Sequence, residues 1–89
     1  MRSYEIKIGL LKKLNKISKR DKNLYEQILK KIDEVIHNKN IDHYKNLKYQ
    51  MKEFKRVHIK KSFVLLFEYM EANDKVVFTD FDHHDKIYK

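Results

Sequence analysis

At 89 residues, 42% of them hydrophobic, the chain has room for one domain spanning residues 1–89 and one modest core. The lack of cysteine excludes disulfides and thiolate zinc sites, a single glycine and no proline exclude glycine-rich phosphate loops and flexible linkers, and the longest apolar run, residues 63–67, is far too short to span a bilayer. With 21 Lys and Arg against 13 Asp and Glu the net charge is +8, which favours a polyanionic partner, either nucleic acid or an acidic protein segment.

The opening residues alternate charged and apolar side chains, so no leader segment is expected. Residues 4–8 alternate Tyr4, Ile6 and Ile8 with polar neighbours and predict a short strand that Gly9 ends. Leu10, Leu11, Leu14 and Ile17 then recur at helical spacing, with Lys12, Lys13 and Lys16 on an ordinary solvated face. Residues 18–21 make a turn, and Asp21 is placed to cap a second amphipathic helix built on Leu24, Ile28, Ile32, Val35 and Ile36, with Asn38 and Asn40 at its exit. Residues 41–53 are irregular and basic and predict a loop or a short strand.

Residues 54–59 predict a strand with Arg56 and His58 on one face and Val57 and Ile59 on the other. After a tight connection at residues 60–62, residues 63–69 are almost wholly apolar, the pattern of a central strand covered on both faces. Residues 71–74 predict a turn and residues 75–81 a last strand. The order of strand, two helices and three meandering strands predicts an α+β fold, a helical hairpin packed on one face of a mainly antiparallel sheet, with Leu14, Leu24, Ile28, Ile32, Leu65 and Phe67 in its core.

Cations gather late in the chain. Lys45, Lys48, Lys52, Lys55, Arg56, Lys60 and Lys61 lie between Tyr44 and Ser62, where Glu53 is the one acid. Phosphates need cations spaced along a groove, so these residues are the candidate RNA contacts, and Tyr44, Tyr49 and Phe54 interleave as candidate stacking surfaces. Of five histidines, His37 falls at a helix C-terminus, where imidazolium suits the dipole. His43, His58, His83 and His84 remain. With Asp42, Asp80, Asp82 and Asp85 they could ligate a metal, but no His-Glu-x-x-His spacing supports one, and metal-free acid–base chemistry is the simpler reading. Cleavage of RNA by its own 2′-hydroxyl needs a base, an acid for the leaving 5′-oxygen, and cations for the phosphorane charge. Histidine, tyrosine, lysine and arginine fill those roles, and a basic RNA-binding domain without catalysis stays open beside that reading.

Four segments carry a family resemblance: Asp42-His43-Tyr44-Lys45-Asn46-Leu47, Phe54-Lys55-Arg56-Val57-His58-Ile59, Phe63-Val64-Leu65-Leu66-Phe67 and His84-Asp85-Lys86-Ile87-Tyr88. In order and spacing the chain resembles toxins of the RelE/ParE superfamily, above all the YafQ-like branch. The resemblance implies a type II toxin–antitoxin module, a cytoplasmic toxin that cleaves mRNA in the ribosomal A site without metal or other cofactor, and a cognate acidic antitoxin that joins it in a hetero-oligomer. It implies His43, His58 and His84 as catalytic histidines and Tyr88 as the terminal aromatic that takes part in cleavage. Arg56 and Ser62 stand where YafQ-like toxins carry acids, and Val64 where RelE toxins carry an arginine. The ParE branch, which inhibits DNA gyrase, shares the fold and lacks this histidine set.

Overall fold

The computed structural model describes residues 2–47 and 53–87. Strand β1 (Ser3–Ile6) leads into helices α1 (Ile8–Arg20) and α2 (Lys22–His37), followed by a 3₁₀ turn at Ile41–His43. Strands β2 (Phe54–Ile59), β3 (Phe63–Met70) and β4 (Lys75–His83) come next, and the one-turn helix α3 (His84–Ile87) closes the described chain. The sheet order is β1-β4-β3-β2, with β1 parallel to β4 and the other pairs antiparallel, which is the expected α+β arrangement.

The expected stop at Gly9 is corrected. The strand ends at Ile6, opposite Phe78, and the Lys7 amide still reaches the Phe78 carbonyl at 3.0 Å. Helix α1 has begun by then, since the Leu11 amide donates to the Lys7 carbonyl at 3.0 Å, so Gly9 lies within its first turn. Asp21 is the single residue between the helices. Its backbone N–H closes α1 on the Ile17 carbonyl at 2.8 Å, and its carboxylate accepts the Leu24 N–H at 3.0 Å, the expected N-cap, a contact worth about 1 kcal/mol. At the far end of α2, Arg2 reaches up from the start of β1. Its guanidinium donates to the carbonyls of Val35 and Asn38 and to Asp74 Oδ1 at 3.0 Å, joining the strand, the helix end and the β3–β4 turn.

A bulge sets the faces of β4. Leu66 pairs with Asp80 but Phe67 pairs with Phe78, so Thr79 is left without an opposite residue. Strict alternation would send Phe78 and Phe81 to opposite sides. The extra residue turns both toward the helices, where they pack with Leu65, Phe67 and Val76. That main core also takes Leu10 and Leu14 from α1, Leu24, Ile28, Ile32, Val35 and Ile36 from α2, and Ile59 from β2. All six expected core residues are buried. The other face of the sheet carries a small second cluster of Leu47, Val64 and Leu66, flanked by half-buried Phe54 and Ile87. Among the described residues no helix is long and apolar enough to cross a membrane.

Candidate active site

Strand β2 is the platform. Its alternation sends Val57 and Ile59 to the helix-side core and Arg56 and His58 to the other face, opposite Leu66 and Val64 on β3. The segment after α2 then folds back along the outer edge of β2. The Arg56 amide donates to the Lys45 carbonyl at 3.0 Å, the Leu47 amide to the Phe54 carbonyl at 2.9 Å, and Asn46 bridges to Lys55. Leu47 is the anchor, buried against Val64 and Leu66. This docking brings His43 and Lys45, both exposed, beside Arg56 and His58. Together with Lys31, Glu34, Tyr44 and Val57 they line one cleft of about 350 Å³.

His84 joins from the chain end. Its ring stacks on His58 with centroids 6.0 Å apart and planes 27° off parallel. The helix that carries it is tied to the β2–β3 turn, for the His84 amide donates to the Ser62 carbonyl at 2.6 Å. Ile87, one turn on, packs against the second cluster. Lys60 and Lys61 are exposed in that same turn, and Lys60 has a left-handed backbone with φ 55°. The pairing of His58 with His84 therefore rests on three local facts: the alternation of β2, the three-residue turn, and the apolar anchor of α3.

The electrostatics differ from residue to residue. Partial burial, the Arg56 guanidinium and the neighbouring His84 all disfavour a proton on His58 and hold its pKa below the ordinary value of 6.5. These effects favour the neutral imidazole, the form able to accept a proton. Tyr44 lies behind the cleft wall, only 5% exposed, with its ring edge-on to Phe67 at 5.4 Å. Its hydroxyl donates to Glu34 Oε2 at 2.6 Å and accepts from Asn38 Nδ2 at 3.3 Å. Burial and the Glu34 carboxylate push it up to about 12, so it stays protonated. The same hydrogen bond lowers Glu34 below its ordinary range, against the opposing effect of its burial.

Several expected contacts are placed elsewhere. Lys55 points inward and is 8% exposed; its ammonium donates to the Tyr44 carbonyl at 3.2 Å and Asn46 Oδ1 at 3.0 Å. It holds the docked segment on β2. Tyr44 is buried in the main core and Phe54 is half-buried against the second cluster, so neither is the exposed stacking surface expected. Lys13 is more than a solvated lysine: it clamps α1 to β4 through Asp80 at 2.7 Å, Asp82 at 3.1 Å and the Phe81 carbonyl at 3.1 Å. His37 closes α2 as expected, Nδ1 donating to the Asp33 carbonyl at 2.9 Å. His83 packs edge-on against Phe63 at 5.7 Å, apart from the His58–His84 stack. Lys48, Tyr49, Lys52 and Tyr88 lie outside the described residues. Among the described residues no three His, Asp or Glu side chains are grouped to hold a metal ion.

The sequence reading missed Lys31 and Glu34. Three residues apart on the outer face of α2 and paired at 3.2 Å, they have the spacing of an ordinary solvated helix pair. What makes them part of a cleft is the later segment folding back, which no local pattern announces.

No family model matches the chain. A relative from Methanocaldococcus jannaschii that carries the toxin name RelE4 is 56% identical over 88 residues, covering 97% of this chain and 92% of the relative. Among solved structures, a chain of the Escherichia coli RelBE toxin–antitoxin complex superposes with a TM-score of 0.71 at 18% identity, covering 91% of this chain and 94% of that one. YafQ from the same species superposes with a TM-score of 0.66 at 14% identity over the full length of both chains.

Proposed function

Since the chain belongs to the RelE toxin family, we propose that it is a metal-independent endoribonuclease that cleaves mRNA in the ribosomal A site, a cytoplasmic toxin held in check by a cognate acidic antitoxin. The observation that carries the nuclease reading is the His58–His84 stack beside Arg56, with His58 favoured in its neutral form. In this reading His58 takes the proton from the 2′-hydroxyl. The 2′-oxygen attacks the adjacent phosphorus, the P–O5′ bond breaks, and His84, in its protonated form, gives the 5′-oxygen its proton. The products are a 2′,3′-cyclic phosphate and a 5′-hydroxyl, so protons and bonds balance without water or metal. Arg56 and Lys45 in the cleft, with Lys60 and Lys61 in the β2–β3 turn, stabilise the phosphorane charge. His43 assists from the same cleft, and Tyr88 is a further proton donor or stacking surface.

The partner follows from charge. A domain of net charge +8 with a cationic cleft is masked most directly by an acidic chain, and the RelBE neighbour is itself a toxin–antitoxin complex. The deciding experiment incubates purified toxin with mRNA-programmed ribosomes, maps the cuts by primer extension and identifies the new ends. The expected ends are 2′,3′-cyclic phosphates. A positioned acid or base contributes about 100- to 10,000-fold in rate, and His58→Ala and His84→Ala should each lose that much while keeping the fold. Full activity in both variants, or 3′-hydroxyl ends from the wild type, would refute the mechanism. No cleavage at all, with arrest of DNA supercoiling instead, would favour the gyrase-directed alternative.

A further inference from the structure

The cleft lined by Arg56 and His58 also holds a carboxylate that the cleavage chemistry leaves unused. Glu34 is half exposed there, with Oε2 accepting from Tyr44 at 2.6 Å and Oε1 paired with Lys31 at 3.2 Å. It is a strange neighbour for phosphates. An ionised carboxylate repels them, and it only accepts hydrogen bonds, so towards RNA it can serve a base or a ribose hydroxyl but no part of the backbone charge. Two of its roughly four acceptor positions are taken by Tyr44 and Lys31, which also fix its orientation, and no other donor among the described residues occupies the remainder. The exposed ring of His43, tilted on Tyr44 at 5.0 Å, supplies an aromatic surface on the same cleft for a base to lie against. At about 350 Å³ the space falls within the range of small-molecule sites, about 300–1,000 Å³.

From this arrangement we infer that the cleft is a base pocket in which Glu34 selects guanine beside the scissile phosphate. The selection follows from donor count. On its Watson–Crick edge guanine offers two adjacent donors, N1–H and the N2 amino group, which match the two oxygens of a carboxylate. Adenine and cytosine offer one amino group there, and uracil one N–H. A carboxylate therefore makes a paired contact with guanine and a single contact with the others, a difference worth about 5- to 150-fold in discrimination. The inference rests on the RNA-cleavage reading and adds to it the identity of the base. The competing explanation is that Glu34 exists to hold Tyr44, which would make it matter for stability and leave base ranking untouched.

Glu34→Gln separates the two. The amide keeps an acceptor for the Tyr44 hydroxyl but no longer offers two acceptors, and a thermal melt confirms that the variant folds. Single-turnover cleavage is measured on four RNAs that differ at one base next to the cut. The wild type should cut the guanine substrate about 5- to 150-fold faster than the others, and Glu34→Gln should bring the four rates together without lowering the slowest. Equal wild-type rates, or a ranking that survives Glu34→Gln, overturn the inference. If no RNA is cut, the nuclease reading has failed and binding decides the pocket. Guanosine, adenosine, cytidine and uridine 5′-monophosphates are then titrated while the His43 and Tyr44 ring resonances are followed by NMR. Selective shifts with the guanosine nucleotide that disappear in Glu34→Gln uphold a guanine pocket in a protein that is not a nuclease. Shifts that are equal for all four, or absent, overturn it.

Discussion

The two faces of one sheet are built to different ends. On the helix side, Leu65, Phe67, Val76 and Phe78 are fully buried, and they meet the stripes of two helices. On the other side Leu47, Val64 and Leu66 form a small buried cluster, and the residues around them are Arg56, His58 and His84. Strands β2 and β3 supply residues to both faces by alternation, so one face stabilises the domain while the other leaves polar groups at a half-open rim. The difference teaches that stability and the proposed chemistry are nearly separable in this fold, although the residues assigned to them are chain neighbours.

The largest effect should come from cutting the helix-side face. Phe67 is wholly buried, between Tyr44 and Phe78. Phe67→Ala should cost about 3–5 kcal/mol, a large share of the roughly 5–15 kcal/mol that holds a domain together. Denaturant melts of Phe67→Ala and His58→Ala sharpen the comparison: the first should lose stability, the second only rate. A His58→Ala melt shifted as far as that of Phe67→Ala would show that the faces are not separable.

Lys55 is where the separation breaks down. It lies on β2 immediately before Arg56, yet its ammonium is buried and holds the Tyr44 carbonyl and Asn46. Lys55→Met keeps the stem and removes the donors. Leaving a buried carbonyl unsatisfied costs about 1–3 kcal/mol, and the docked segment that carries His43 and Lys45 should loosen with it. The expected result is a moderate fall in melting temperature together with weaker RNA binding, the latter with a steeper loss than its small change in net charge explains. Unchanged binding would mean that the segment stays docked on Leu47 alone.

Much of this was legible in the sequence, and what escaped has physical reasons. The helical stripes, the Asp21 cap and the alternation of β2 are local patterns set by neighbours a few residues away, and they emerged where expected. Gly9 misled because a glycine without side-chain preference reads equally as a stop or as a helix residue, and the ending of β1 depends on β4. The bulge at Thr79 was visible only as a break in period, Phe78 to Phe81. Lys55 and Lys13 look like their exposed neighbours in sequence; their partners lie across the fold. The cleft was half legible: the histidines and cations announced themselves by type, whereas Glu34 and Lys31 entered it through a chain segment that docks from elsewhere.

A third test concerns the electrostatics of the open face. His58 binds its proton less tightly when folded than when unfolded, because of its partial burial, Arg56 and His84. The sign of the linkage follows. Above the ordinary value of 6.5 both states are neutral and stability is flat; as pH falls through 6.5 towards the lowered folded value the unfolded chain takes up the proton first, and stability drops. If His58 is the base, the acid limb of the cleavage rate should fall below pH 6.5. Arg56→Gln removes one positive neighbour, so the NMR titration of His58 should move up towards its ordinary value and the acid limb should follow. A titration that moves while the limb stays would assign the base to another residue.

The smallest effect should come from Gly9, on the helix layer and away from the cleft. Its backbone is not left-handed, it sits in the first turn of α1, and a Cβ placed there meets nothing within 4 Å. Gly9→Ala therefore restricts the unfolded chain without straining the folded one, and should stabilise by about 0.4–1 kcal/mol. Because α1 faces the side of the sheet remote from His58 and His84, the cleavage rate should not change. A melting temperature that rises with the rate constant unaltered is the outcome that separable faces require. A fall in rate from this substitution would mean that the helix layer and the open face communicate through the strands they share.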